Sequence, residues 1–164
     1  MALIKDREVV RDTWRVLLPD EEIPEQGDVI VSLAVWQQQQ SLLAMRDGLT
    51  GLWLDAGDEL CELGELPPLI AVHFTAFTDG RGYSIARLLR QRHGFAGELR
   101  AIGDILRDQL YELARCGFDS FALRKDQDVA EALRAFDDFS DAYQAAADQG
   151  PLFGRRFRAE RNAA

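Results

Sequence analysis

The chain has 164 residues, 47% of them hydrophobic, and a formal net charge of −9. This length predicts one domain, residues 1–150, that is large enough to bury a core. The acidic balance argues against a nucleic-acid partner, and the lack of both a long apolar run and an apolar signal region predicts a cytoplasmic protein with no membrane contact.

The N-terminal elements precede the main repeat of the chain. Residues 1–24 are predicted to be an appendage, in which LIKDREVV and TWRVLL, separated by a charged turn, form a β-hairpin and lead into an acidic loop. The loop, Pro19 to Asp28, holds two prolines and a glycine. The segment DVIVS then predicts a short strand, followed by a helix that is capped by Ser32 and ends at Gly48.

From residue 49 onwards, strands and helices alternate. The predicted strands are 52–54, 69–74, 99–102 and 118–123, and the helices that follow them are DELCEL, 84–92, 105–116 and a helix capped by Asp128. Gly117 is predicted to end the third of these helices. Four consecutive βα units predict an α/β fold with parallel strands. Strict alternation favours a half-TIM-barrel, with an open doubly wound sheet as the alternative, and the open edges of a half-barrel predict a homodimer.

Charge is distributed unevenly along the chain. Residues 1–66 carry a net charge of −9, residues 67–125 carry +3, residues 126–150 carry −6, and the predicted flexible tail at 151–164 carries +3. Eight of the nine cations in the positive segment are arginines, whose planar fork suits oxyanions and carboxylates. This cluster of arginines has two possible interpretations. The arginines form an anion-binding site, or they pair with carboxylates of the protein itself.

The sequence TDGRGYS, residues 78–84, directly follows the apolar strand LIAVHF. Its glycines, Gly80 and Gly82, predict backbone conformations closed to other residues, and Ser84 is predicted to cap the next helix. Such a turn suits an anion, which Arg81 and Arg87 would help to hold. It is neither a P-loop nor a dinucleotide fingerprint, because the lysine and the third glycine are missing.

The next strand delivers a second polar group to the same edge of the sheet. It consists of Asp104, with Arg107, Asp108 and Gln109 in the first turn of the following helix. Asp79 and Asp104 are candidate acid–base residues and Tyr83 is a candidate proton donor. The alternatives are that Asp79 closes its own turn, that Asp104 pairs with Arg81 or Arg107, and that the Tyr83 ring packs over the helix start.

The sequence contains no evident cofactor motif. Cys61 and Cys116 are far apart and are predicted to be reduced thiols, and no CxxC is present. His73 is predicted to be a core or interface residue, and His93 lies at a helix end, so no metal constellation is indicated. No iron–sulfur, flavin or nicotinamide signature is present.

The stretch from FTAFTDGRGYS to RCGFDSFALR resembles a bacterial family known as domain of unknown function 934. The residues that carry the resemblance are Asp79, Gly80, Arg81, Gly82, Tyr83, Ser84, Arg87, Arg90, Gly97, Glu98, Arg100, Gly103, Asp104, Asp108 and Gln109. The earlier pieces WQQQQ and GLWLDAG are also similar, so the resemblance covers about residues 25 to 145. Thr75 stands where the family usually has proline.

The resemblance implies a role in sulfur assimilation. Members of this family are usually encoded beside the assimilatory sulfite reductase haemoprotein and are described as oxidoreductases of sulfite reduction. An accessory that aids electron delivery to the reductase, or its assembly, is therefore expected, with the reductase or its electron donor as partner. A small oxyanion-binding enzyme and a structural dimer module are the alternatives, and the oxidoreductase activity rests on the resemblance alone.

Overall fold

The computed structural model describes residues 2–58 and 66–138. Its strands are β1 (Leu3–Lys5), β2 (Glu8–Val10), β3 (Arg15–Val16), β4 (Val29–Ser32), β5 (Thr50–Asp55), β6 (Leu69–Phe74), β7 (Glu98–Gly103) and β8 (Ser120–Ala122). Its helices are α1 (Leu33–Gln38), α2 (Gln40–Met45), α3 (Arg81–Gln91), α4 (Leu110–Cys116) and α5 (Val129–Arg134), with 3₁₀ turns at Arg107–Gln109 and Ala135–Asp137. None of these helices is long and apolar enough to cross a bilayer.

The strands form one sheet in the order β2-β1-β8-β7-β6-β5-β4-β3. Strands β3 to β8 are parallel and lie beside one another in chain order. Each right-handed crossover therefore moves in the same direction, which puts the helices on one face of the sheet. A doubly wound sheet would reverse its order at a switch point. The predicted half-barrel is thus confirmed.

The chain connectivity requires the sheet to curl. Strands β2 and β3 lie at opposite edges of the sheet, yet only residues 11–14 connect them. A flat sheet would separate its outer strands by seven spacings of about 4.8 Å, or roughly 34 Å. The five-residue step from Val10 to Arg15 reaches at most about 18 Å. The edges must therefore approach each other, and the connecting segment crosses the concave face of the sheet.

The two faces of the sheet bury different clusters. The convex face packs against the helices and supplies most of the core, with Phe74, Leu99 and Phe121 among its buried side chains. The concave face buries a smaller cluster that includes Ala71 and Ile102. Trp14, from the segment that crosses this face, packs against that cluster, so the half-barrel is filled by its own N-terminal chain.

The predicted N-terminal hairpin is present, but it is shorter than expected. Strands β1 and β2 both lie within LIKDREVV and pair antiparallel around Asp6 and Arg7. These two residues have φ values of 51° and 65°, the positive values that a tight type I′ hairpin turn requires. The segment TWRVLL does not join the hairpin, because Arg15–Val16 pairs in parallel with β4.

Several helix ends follow their sequence signals. The Ser32 hydroxyl accepts the Val35 N–H at the start of α1, and Asp128 accepts the Ala130 N–H at 2.8 Å at the start of α5. Gly117 ends α4 with φ at 109°. Residues 59–63 of the predicted helix DELCEL, with Cys61 among them, and the tail at 151–164 lie outside the described residues.

Candidate functional site

The carboxyl ends of β6, β7 and β8 carry most of the predicted site residues. The loop after β6 holds Asp79, the residue after β7 is Asp104, and Arg124 follows β8. These strands are hydrogen-bonded neighbours, so their ends lie at one edge of the sheet. This strand-end edge is where functional groups gather in parallel α/β folds.

Helix α3 begins at Arg81 rather than at Ser84, so the predicted cap is wrong. The Asp79 carboxylate accepts the Arg81 backbone N–H at 3.1 Å, so one of the free N–H groups at the first turn of α3 has a hydrogen-bond partner. The helix start therefore lies three residues before the predicted one. Ser84 lies in the next turn of the helix and is exposed, as is Arg87. The free amide groups expected at Ser84 are therefore inside the helix.

Asp79 and Arg81 form a bidentate ion pair. Arg81 Nε lies 2.9 Å from Asp79 Oδ1, and Arg81 Nη2 lies 2.8 Å from Oδ2. The hydrogen bonds from Arg81 lower the pKa of Asp79 from 3.8 to about 2. A general base works best when its pKa is near the working pH, so this carboxylate is a poor candidate for proton abstraction.

Asp104 binds two groups from different loops. Its Oδ2 accepts the Phe77 N–H at 3.0 Å, and its Oδ1 accepts Arg124 Nη1 at 2.7 Å. Arg124 also holds Asp126 through two hydrogen bonds, and these carboxylates raise the pKa of the Arg124 guanidinium. The predicted pairing of Asp104 with Arg81 or Arg107 is wrong, because Asp104 pairs with Arg124, which follows the neighbouring strand β8.

Gln109 joins three parts of the strand-end edge. Its Oε1 accepts the Leu106 N–H at 2.9 Å, and its Nε2 donates to the Phe77 carbonyl at 3.4 Å and lies 3.5 Å from Tyr83 Oη. Burial raises the pKa of Tyr83, whose ring packs edge-on against Phe74 at 5.6 Å. Tyr83 is therefore a packed ring whose hydroxyl faces an amide.

Phe77 is the residue around which these contacts converge. Its N–H is held by Asp104 and its carbonyl by Gln109, while 49% of its surface is exposed. The polar residues of the edge thus fix a loop that presents an aromatic ring to solvent.

Arg107 and Asp108 tie the β7–α4 connection to the end of α5. Arg107 donates to Asp108 Oδ1 at 3.2 Å, to Asp138 Oδ1 at 3.1 Å and to the Glu131 carbonyl at 3.2 Å. Its backbone N–H donates to Gln127 Oε1. This guanidinium is engaged by the protein itself and joins two helical segments.

Arg100 does not reach the strand-end edge. It lies within β7, with 2% of its surface exposed, and binds Glu98 Oε1 at 2.7 Å and Asp12 Oδ1 at 2.9 Å on the concave face. Burial by itself would raise the pKa of Glu98, but ion pairs with Lys5 and Arg100 outweigh it and lower that pKa. Arg100 therefore anchors the crossing segment to the sheet.

Arg90, from the same family pattern, performs a similar task at the other end of the strands. It donates to the carbonyls of Phe95, Gly97 and Gly117 and pairs with Asp119 at 2.6 Å. Burial raises the pKa of Asp119, even though Arg90 opposes that change. The Arg90 guanidinium thus attaches the C-terminal ends of α3 and α4 to the sheet.

Neither glycine of TDGRGYS has an unusual backbone conformation, and of the two only Gly82 is required for packing. Gly80 has φ at −78° and ψ at −6°, which other residues adopt readily, and Gly82 lies in helix α3. A Cβ on Gly82 would lie 2.5 Å from Phe74 Cζ, whereas a Cβ on Gly80 would meet nothing within 4 Å. The predicted conformational role is wrong for both, and Gly82 permits a close approach of helix to ring.

The charged side chains of the strand-end edge therefore bind one another and hold its loops together. Asp79 and Asp104 each bind a different arginine, and Arg81, Arg107 and Arg124 each hold a carboxylate of the protein. Within residues 2–58 and 66–138, no group of three or more His, Cys, Asp or Glu side chains could hold a metal ion. The sequence did not identify Arg124 or Phe77 as site residues, although the register that pairs Ala101 with Phe121 brings Arg124 beside Asp104.

A groove of about 360 Å³ lies at the opposite end of the strands. Leu42 and Met45 of α2 line it together with Ile23, and Glu25 and Asp47 add acidic side chains. This acidic groove, as we call it, is partly apolar and open, since Leu42 is 46% exposed and Met45 is 79% exposed.

Arg46 fixes the walls of the acidic groove. Its guanidinium donates to the carbonyls of Pro24, Gly27 and Leu49 and to Thr50 Oγ1, at 2.6 to 3.2 Å. It therefore ties residues 24–27 to the start of β5, and it adds one positive charge beside Glu25 and Asp47 in the groove lining. The groove is preformed.

Comparison with known proteins found one family. The model of the family described as "Bacterial protein of unknown function (DUF934)" matches residues 51–153, which is more than half of the chain. No curated protein and no solved structure matches the chain.

Proposed function

The chain belongs to the bacterial family of unknown function DUF934, and on that basis we propose that it is an accessory protein of assimilatory sulfite reduction. In this proposal it binds the sulfite reductase haemoprotein through the acidic groove and aids electron delivery to that enzyme or its assembly. The electron donor of the reductase is the second partner to be tested.

The observation that carries the proposal is the contrast between the two ends of the strands. At the strand-end edge the carboxylates and arginines bind one another. At the other end, Leu42 and Met45 stay exposed in a preformed groove. Exposed apolar side chains with a polar rim are typical of protein-binding surfaces, and methionine adapts well to a partner surface.

The charge of this region supports a basic partner. Residues 1–66, which contain the groove, carry a net charge of −9. Complementary charge speeds the encounter of two proteins and makes it sensitive to salt. We therefore expect the reductase to offer an apolar side chain flanked by lysine or arginine.

Titration of the immobilised protein with purified sulfite reductase haemoprotein tests this. Met45→Ala combined with Leu42→Ala should weaken binding by about tenfold or more if these side chains anchor the partner. Leu88→Ala is the matched control, because Leu88 is also exposed (41%) but lies on α3. Equal affinity of the groove variant and the control would overturn the assignment of the groove.

Charge is tested separately from apolar contact. Glu25→Gln with Asp47→Asn should slow association, and raising the salt from about 50 to about 500 mM should have a similar effect. Asp108→Asn, at the strand-end edge, is the matched control with an exposed carboxylate. No association with the reductase or its donor at any ionic strength would reject the accessory role.

The oxyanion-binding alternative makes a different prediction. An anion at the strand-end edge would have to displace Asp79 from Arg81, or Asp108 and Asp138 from Arg107. Calorimetry with sulfite, sulfate and phosphate on the wild type and on Arg81→Ala decides between the two. Heat that depends on Arg81 would support the enzyme, and its absence would support the accessory role.

The expected homodimer belongs to the third alternative, a structural dimer module. Light scattering of the free protein measures its mass directly. A dimer that fails to bind either the reductase or its donor would favour the structural module over the accessory.

A further inference from the structure

We propose that Asp55 and His73 form a proton-accepting site in the mouth of the half-barrel. His73 Nε2 acts as the general base. It accepts a proton from a water molecule or from the hydroxyl group of an uncharged or cationic ligand. This site is separate from the ion-paired strand-end residues and from the acidic groove. It goes beyond the accessory role and does not depend on it.

The sheet register places the two side chains together. Asp55 ends β5, and His73 lies directly beside it on β6. His73 Nδ1 is 2.8 Å from Asp55 Oδ1. A carboxylate can only accept a hydrogen bond, so Nδ1 carries the hydrogen and Nε2 of the neutral ring keeps its lone pair. This is the tautomer that a histidine base requires.

The pair is accessible at its open end. The side chain of His73 is 34% exposed and that of Asp55 is 46% exposed. His73 therefore lies at the rim of the sheet and not in the core, which was one of the two positions predicted for it; the other, an interface position, stays a prediction. In barrel-like α/β folds, the mouth at the carboxyl ends of the strands is the position where catalytic groups meet their substrates.

The orientation of the imidazole is fixed from more than one side. The Trp53 ring stands edge-on to it, with centroids 5.7 Å apart and an interplanar angle of 80°. The Trp53 indole N–H is buried and has no hydrogen-bond partner among the described residues. A Cβ on Gly103 would lie 2.8 Å from His73 Cδ2, so a glycine is needed beside the ring. The Asp58 carboxylate accepts the Asp55 N–H at 2.8 Å and steadies the strand end.

The surrounding charge selects the class of ligand. Asp55 binds the imidazole, Asp58 binds the Asp55 backbone N–H, and Asp104 follows the adjacent strand together with its partner Arg124. The local excess of carboxylates disfavours an anion such as sulfite. A neutral or cationic molecule whose hydroxyl group donates to Nε2 fits this environment.

The reaction that reports such a base is the hydrolysis of p-nitrophenyl acetate. Nε2 takes a proton from water while the water oxygen bonds to the carbonyl carbon. The bond from that carbon to the p-nitrophenolate oxygen then breaks, and the imidazolium releases its proton to solvent. The products are p-nitrophenolate and acetic acid, which loses its own proton to solvent to give acetate, and no other co-reactant is required.

Three variants separate the base from its positioning residue. His73→Gln should reduce the hydrolysis rate by about tenfold or more. His93→Gln, which removes an exposed histidine just beyond α3, should leave the rate unchanged. Asp55→Asn should slow the reaction, because the amide no longer holds the hydrogen of the His73 imidazole on Nδ1. Equal rates for the wild type and His73→Gln would overturn the site.

The tautomer gives a second readout that does not depend on any variant. Long-range ¹⁵N–¹H correlation spectra of the wild-type protein distinguish hydrogen on Nδ1 from hydrogen on Nε2. Hydrogen on Nδ1 of His73 supports the proposal, and Asp55→Asn should reduce its population. Hydrogen on Nε2 in the wild type would overturn the proposal, since the base would then face Asp55 instead of the mouth.

Discussion

The Asp104 carboxylate and the Phe77 backbone N–H are joined by a hydrogen bond of 3.0 Å that spans 27 residues of sequence. The other carboxylate oxygen binds Arg124 at 2.7 Å. The loop after β6 is thereby attached to the ends of β7 and β8. A residue that resembled a catalytic acid in the sequence serves to hold a neighbouring loop and the exposed ring that this loop carries.

Asp104→Ala should therefore loosen this loop. Hydrogen bonds to charged groups contribute about 1.5–3 kcal/mol, and partial exposure of Asp104 lowers the expected loss of unfolding free energy to about 1–2 kcal/mol. Urea unfolding measures the loss, and hydrogen exchange at the Phe77 amide should become faster. Asp126→Asn is the control, because it weakens an Arg124 contact and leaves the Phe77 bond intact. Unchanged exchange at Phe77 in Asp104→Ala would contradict the assigned role.

The two glycines of TDGRGYS should respond in opposite directions to alanine. Gly82→Ala puts a methyl group 2.5 Å from Phe74 Cζ, and that ring is enclosed by Tyr83 and Phe118. Overpacking costs about 1–3 kcal/mol, against a gain of about 1 kcal/mol in helix propensity, so we expect a net loss.

Gly80→Ala is the matched control for the same experiment. Its backbone is already helical and its Cβ meets nothing within 4 Å. It should leave stability unchanged or raise it by up to about 1 kcal/mol, because the unfolded chain loses freedom. Thermal unfolding of both variants tests the pair, and equal destabilisation would show that backbone conformation matters at these positions after all.

Local patterns were sufficient to predict the fold. The apolar run LIAVHF, the Ser32 and Asp128 caps and the stop at Gly117 each act over a few residues, and each is present as predicted. Strict βα alternation then favoured the half-barrel. The curl itself follows from connectivity, because residues 11–14 must join the two edges of the sheet.

Local sequence patterns could not predict which side chains pair with one another at the strand ends. Arg107 is three residues from Asp104, yet the partner is Arg124, which is 20 residues away and follows the next strand. The choice depends on strand spacing and loop path, which no local pattern encodes. Likewise, Gly80 and Gly82 lie two residues apart in one motif, and the position of Phe74 decides which of them needs to lack a Cβ. The sequence did not exclude a core position for His73, because an apolar strand at the rim of a half-barrel still exposes its last concave residue.

Arg100 should be the most costly of the family-pattern arginines to remove. It is 2% exposed and bridges Asp12 and Glu98. Arg100→Ala leaves Asp12 without its cation and Glu98 with Lys5 alone, and should lower the unfolding free energy by about 3 kcal/mol. Arg134→Ala removes an exposed pair with Glu131 on a helix surface and should cost about 0.5 kcal/mol or less. Urea denaturation compares the two, and similar costs would argue against the anchoring of the crossing segment by Arg100.

The Asp79–Arg81 pair should contribute stability that depends on pH. The folded-state pKa of Asp79 is lowered from 3.8 to about 2 by the hydrogen bonds from Arg81. A depressed carboxyl pKa means that the unfolded chain binds the proton more tightly, so the contribution is present above about pH 4 and is lost as the pH falls towards 2. Asp79→Asn should thus be less stable than the wild type at about pH 7 and 5, with a difference that shrinks at about pH 3. Urea unfolding at the three pH values measures it, with Asp108→Asn as the control. A difference that stays constant or grows on acidification would show that Asp79 does not stabilise the helix start through its charge.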